Sequence, residues 1–177
     1  MTLSKKEIRE IVGLTFSELS SNPKGWYDRA CSFKAAAQLL AKNEGGTLAI
    51  PYNLSTGLSL ELLLKAIALV KGKSFNTSHC LNDLYRNADV TITDDQKCTL
   101  ELLSEVIVWS GRYPAPKRQE QWDNYHDSVF EKHVIREKVG NTGKVIAHKG
   151  RFPTLENYLK IWQLFENEFR NVFNNPA

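Results

Sequence analysis

The chain predicts an all-α fold, an up-and-down helical bundle with an additional charged helical or loop insertion before its last helix. Apolar residues recur at three and four positions along most of the 177 residues. Strand-type alternation is nearly absent, and Gly, Pro and Asn cluster between the periodic runs. The length suits one domain with a sizeable core, so 1–177 reads as a single unit, with 113–153 as a candidate insertion or recognition arm.

The elements follow in order. Ser4 to Ser20 carries Ile8, Ile11, Val12, Phe16 and Leu19 at helical spacing, with Ser4 as cap, until Asn22, Pro23 and Gly25 break it. Trp26 to Lys42 is an alanine-rich helix whose Ala30, Phe33, Ala37 and Ala41 allow close packing, stopped by Asn43 to Thr47 (NEGGT). A third helix starts near Tyr52 to Leu54 and runs to Val70; it is apolar almost all round and reads as the centre of the bundle. After a loop at Ser74 to Thr77, His79 to Ala88 is a short amphipathic helix. Thr93 and Gln96 have capping-box spacing ahead of the apolar helix Lys97 to Ser110, although Asp94 or Asp95 would also serve as cap. Gly111 and Pro114 end that helix. Gln121 to Val139 is charged, with Trp122, Tyr125, Val129, Phe130 and Val134 interleaved, and Gly140 to Gly150 is a loop or short hairpin. Thr154 to Phe173 is the closing amphipathic helix.

Composition narrows the function classes only modestly. A formal net charge of +3 and a pI near 8.7 are compatible with a polyanionic partner without requiring one. No uninterrupted apolar run reaches the roughly 18 residues of a membrane span, because Glu61 and Lys65 break the longest one. The N-terminus lacks the apolar core of a signal peptide, and Cys31, Cys80 and Cys98 form no C-x-x-C pair. The expectation is a cytoplasmic protein with reduced thiols, no membrane contact and no cofactor. Gly111-Arg112-Tyr113-Pro114 echoes Gly150-Arg151-Phe152-Pro153, but the flanking sequences do not align as a repeat.

Charges inside the apolar helices are the informative feature. Gly57, Glu61 and Lys65 share one stripe of the third helix. An exposed Glu–Lys pair at this spacing contributes about 0.2–0.5 kcal/mol. The same pair inside a bundle carries a desolvation cost of several kcal/mol per charge unless partnered. Arg112, at the end of the other strongly apolar helix, is the expected second cation for Glu61. His79 is either a capping or surface histidine or a proton donor and acceptor. His126, His133 and His148 lie in a basic region that also holds Lys117, Arg118 and Arg151; this is either a solvated charged face or a nucleic-acid contact surface. No H-x-x-x-H or H-E-x-x-H occurs, so no metal site is expected, and Walker A, G-x-G-x-x-G and G-x-S-x-G are absent.

GLSLELLLKA (Gly57 to Ala66), Lys71-Gly72, TSHCLNDLY (Thr77 to Tyr85) and WSGRYP (Trp109 to Pro114) together resemble the HEPN superfamily of small helical-bundle domains. The likeness spans Tyr52 to Pro116. It implies a bundle that often dimerises and, in many members, a metal-independent ribonuclease of toxin–antitoxin or phage-defence systems. That activity goes with an R-x4–6-H motif. Here Arg112 is followed by Tyr113, Pro114, Ala115 and Pro116, the next histidine is His126, and Arg118 lies seven intervening residues before it. The resemblance therefore implies a nucleic-acid- or nucleotide-associated binding module, homodimeric, with RNA, a nucleotide or a cognate protein as partner. Lys65, Tyr113, Lys117, Arg118 and Arg151 are its candidate binding residues. The alternatives are a divergent metal-independent endoribonuclease using Arg112, Glu61 and His79, and a non-catalytic protein-interaction scaffold.

Overall fold

The computed structural model describes residues 3–43, 46–75, 77–139 and 142–175. Glu44 and Gly45 of the predicted helix stop, Asn76 of the following loop, and Gly140 and Asn141 lie outside them. The chain is mostly helical: α1 (Lys5–Ile11), α2 (Phe16–Ser21), α3 (Pro23–Leu40), α4 (Ala49–Val70), α5 (Leu81–Asn87), α6 (Asp94–Glu105), α7 (Gln119–His133) and α8 (Leu155–Asn174). A π-helical turn, Val106–Ser110, continues α6, and a 3-10 turn, Lys149–Arg151, precedes α8. An antiparallel hairpin of β1 (Val134–Val139) and β2 (Thr142–Ala147) separates α7 from that turn, so the fold is not wholly α.

The α4 helix is the axis of the molecule. It is long and apolar enough to cross a membrane, but most of it is buried within the protein, as befits a core helix. Leu60, Leu63, Leu64 and Ile67 meet Ala30 and Ala37 of α3, Leu100 and Leu103 of α6, and Tyr158, Ile161, Trp162 and Phe165 of α8 in one cluster. The small side chains of α3 let its backbone approach α4 closely, which sets the most extensive helix pair in the fold. Gly57 does the same toward the π-helical turn: a Cβ there would lie 2.8 Å from Cγ1 of Ile107.

The predicted first helix divides in two. Gly13 adopts φ +67°, ending α1, and Thr15 starts α2 with a capping box to Glu18. Pro23 does not break a helix; it occupies the first turn of α3, capped by Asn22. Neither α1 nor α2 buries a residue, and Ile8, Ile11, Val12, Phe16 and Leu19 stay exposed, Phe16 at 88%.

The 113–153 segment divides as well. Its helix and 3-10 turn pack on α6, held by Lys132 on Glu101 (2.5 Å) and by Arg151 on Asp95 (2.8 Å) and on the Lys132 carbonyl (2.7 Å). The hairpin stands away from the core, with Ile135 and Val145 exposed and α7 as its main neighbour. Only two residues, Gly140 and Asn141, separate the paired positions Val139 and Thr142.

Candidate functional site

Glu61, Lys65 and His79 converge. Helical spacing brings the Lys65 ammonium to 2.6 Å from Oε1 of Glu61, and the two side chains are 7% and 5% exposed, respectively. Nδ1 of His79 lies 3.1 Å from both carboxylate oxygens. The rings of Trp26 and Phe75 cover the ammonium at 5.9 and 5.5 Å. Aromatic faces of this kind replace part of the hydration that burial removes from a cation. The pair is thus buried but compensated on every side the structure describes.

The second side chain on Glu61 is therefore the imidazole of His79, not Arg112. Arg112 donates to the Val108 carbonyl at 2.5 Å and stacks over Tyr113. Gly111 beside it packs against Leu54, seven residues before Glu61, which places it about 10 Å away along the α4 axis. Nor does His79 cap α5. The cap residue is Cys80, and the hydroxyl of Ser104 accepts from the Leu81 amide at 2.9 Å. The His79 side chain is half exposed while Nδ1 faces a buried carboxylate, so Nε2 lies on the ring edge away from Glu61. An Nδ1–H donated to Glu61 leaves Nε2 as a basic acceptor, the arrangement of a carboxylate-oriented general base.

A second constellation forms where α6 ends. The Gly111 amide donates to the Val106 carbonyl at 2.9 Å, the five-residue step of a π-helix. Trp109, held by Nε1 on Glu105 at 2.6 Å, meets Trp122 and Tyr125 of α7 at centroid distances of 6.0 and 5.3 Å. His126 lies 4.4 Å from Trp122, ring to ring. Together with Ile50, Arg112 and Tyr113 these residues line a cleft of about 440 Å³. Tyr113 is 56% and Trp122 37% exposed, so aromatic surface and a guanidinium share one open face.

The predicted binding residues are therefore scattered. Arg112 and Tyr113 line the aromatic cleft, Lys117 is exposed just before α7, and Arg118 lines a neighbouring cavity. Lys65 is buried, and Arg151 joins α6 to the end of α7. Sequence reasoning missed the cleft as a unit. Its signal was Trp122 and His126 at i, i+4, opposite a tryptophan three residues before Arg112. Among the described residues no three His, Cys, Asp or Glu side chains are grouped so as to hold a metal ion. No protein-family model matches this chain, and neither a curated protein nor a solved structure matches it.

Proposed function

We propose that this chain is a HEPN-like helical module that binds single-stranded RNA, with the aromatic cleft at the end of α6 as its binding surface. The observation that carries the reading is the open face shared by Tyr113, Trp122 and Arg112. Bases stack on such rings whatever their identity, each worth about 1–3 kcal/mol, while a guanidinium takes a phosphate or a second base face. Lys117 adds a cation at the start of α7. A stress, toxin–antitoxin or phage-defence setting goes with the family likeness alone.

Fluorescence anisotropy with a short single-stranded RNA at two salt concentrations tests this. Binding is expected to weaken as salt rises, and Trp122→Ala to weaken it by about tenfold, the value of one stacked base. Absence of binding at low salt ends the RNA reading.

The dyad of Glu61 and His79 favours a second reading, a divergent metal-independent ribonuclease. His79 would accept the ribose 2′-hydroxyl proton at Nε2 as the 2′-oxygen bonds to the adjacent phosphorus and the 5′-oxygen leaves, taking its proton from water, while Glu61 would hold the ring and stabilise its charged form. Incubation of RNA with the protein in chelator decides: this reading requires cleavage by the wild type and its loss in His79→Ala. Uncut RNA removes it.

The reading includes a homodimer. Leu3, Ile8, Ile11, Val12, Leu14, Phe16 and Leu19 expose, on the order of 800 Å² together, about one partner's share of a standard interface. Light scattering at micromolar concentration is expected to report twice the chain mass, and a monomer alone counts against it.

A further inference from the structure

The α6 helix leaves the α-helical step at Val106–Ser110, where it enters the aromatic cleft. A π-helical turn holds one residue more than the α-helical turn it replaces, and such turns are frequent at functional sites. The extra side chain points outward: Val108 is 40% exposed between buried Ile107 and Trp109. The change of step also costs a carbonyl its backbone partner. The amides of Arg112 and Tyr113 both donate to the Trp109 carbonyl at 2.9 Å, which leaves the Val108 carbonyl to the Arg112 guanidinium. The turn therefore fixes Arg112 on the open face of the cleft. On its other side it sets the Trp109 ring against Trp122 and Tyr125 of α7.

Gly111 closes the turn, and space rather than backbone angle demands glycine there. Its φ of −82° and ψ of −4° are an ordinary right-handed conformation. A Cβ, however, would lie 2.7 Å from the Val106 carbonyl oxygen to which the Gly111 amide donates. It would also lie 2.9 Å from Cγ1 of Val106 and 3.3 Å from Cβ of Leu54. None of these atoms is the far end of a flexible chain, so none yields easily. In an unbroken α-helix the same sequence would carry each residue past the turn about 100° further round and about 1.5 Å further along the axis. Arg112 and Tyr113 would then leave the face they share with Trp122.

We propose that Gly111 and Val108 are the positioning residues of the aromatic cleft: the insertion that Gly111 permits and Val108 fills sets Trp109, Arg112 and Tyr113 against Trp122 for a stacked ligand. Neither residue needs to touch base or phosphate; each acts through the placement of its neighbours. The ligand class rests on the single-stranded RNA reading, whereas the register belongs to the free protein. A base stacked between the two walls favours the π register, because only that register brings both walls to one face.

Far-ultraviolet circular dichroism of the full chain, free of RNA, tests the register. The indoles of Trp109 and Trp122, 6.0 Å apart and tilted by 49°, are expected to give an exciton couplet that Trp122→Phe abolishes. Deleting Val108 makes the Gly111–Val106 bond an ordinary four-residue step and turns Trp109 outward, while Gly111→Ala opens the closure itself. Each variant is expected to keep a cooperative thermal melt and to lose most of the couplet. Each is also expected to bind a fluorescein-labelled oligoadenylate about tenfold more weakly, the value of one stacked base. Gly25→Ala, whose Cβ meets only ordinary contacts at 3.7 Å, is the control expected to change neither. If wild type binds no oligoadenylate, the RNA reading falls and the couplet alone decides. A folded variant that keeps the wild-type couplet or the wild-type affinity overturns the assignment for the residue changed, and a wild type without the couplet overturns it for both. Failure of both variants to fold overturns it too, since the turn then serves the fold and not the cleft.

Discussion

Glu61 and Lys65 are held in place by what surrounds them, since each alone would be costly in the core. Truncating one partner of a buried ion pair typically costs 3–5 kcal/mol because the other charge is stranded. Lys65→Met is therefore expected to destabilise by about 3 kcal/mol, leaving Glu61 with the His79 imidazole as its remaining hydrogen-bond partner. The double variant Glu61→Leu, Lys65→Met strands no carboxylate and is expected to be more stable than Lys65→Met alone. Urea midpoints of wild type, both singles and the double measure this; simple additivity of the two losses would refute the coupling. The stripe of Glu61 and Lys65 was legible in the sequence, because helical spacing fixes it. The third partner was not. Arg112 and His79 are both distant in sequence, and only the antiparallel course of α4 and α6 decides which of them reaches Glu61.

Elements were legible wherever one period dominated. The α4, α6 and α8 helices came through to within a few residues, since each buries a broad apolar face. The split between α1 and α2 was hidden because the apolar spacing runs through Gly13, whose positive φ ends the turn. The turn of α7 into β1 was hidden for the opposite reason: VIREKV has helix-tolerant charges and little alternation, and its partner strand supplies the pairing. Gly57 shows how tightly the elements are fitted. Alanine there gains roughly 1 kcal/mol of helix propensity. Its Cβ, however, would sit 2.8 Å from Ile107 and 3.4 Å from the Leu103 carbonyl, neither of them a free chain end. Overpacking of this kind costs about 1–3 kcal/mol, so Gly57→Ala is expected to be net destabilising by about 1 kcal/mol. A thermal melt checks it, and a rise in midpoint would mean that the π-helical turn yields without loss.

At the scale of the whole molecule, α3 and α8 are closed on each other by a polar clasp that the sequence did not announce. Tyr27 of α3 donates to Oε1 of Glu166 at 2.5 Å, Trp162 donates to Oε2 at 2.8 Å, and Arg170 binds both Glu166 and the Tyr27 hydroxyl. Lys34 stands 3.8 Å from Glu166 and over the Trp162 ring, while Tyr27 stacks flat on Phe169 at 4.6 Å. Burial alone would raise the Glu166 pKa, but the hydrogen bonds from Tyr27, Arg170 and Trp162 and the charge of Lys34 bring it down to about 2. An unfolded glutamate titrates near 4.3. The clasp therefore contributes fully above that value, and its contribution is lost as pH falls from about 4 toward 2, on the order of 3 kcal/mol. His133 acts in a separate window. Its lowered pKa makes the unfolded chain the better proton binder below about 6.5, so stability first declines there. Urea midpoints from pH 7 to pH 2 for wild type and Glu166→Gln separate the two. The variant is expected to be less stable at pH 7, to keep the decline below about 6.5, and to approach wild type as pH nears 2. A gap between the two proteins that stays constant over the whole range would show that Glu166 is not ionised in the clasp.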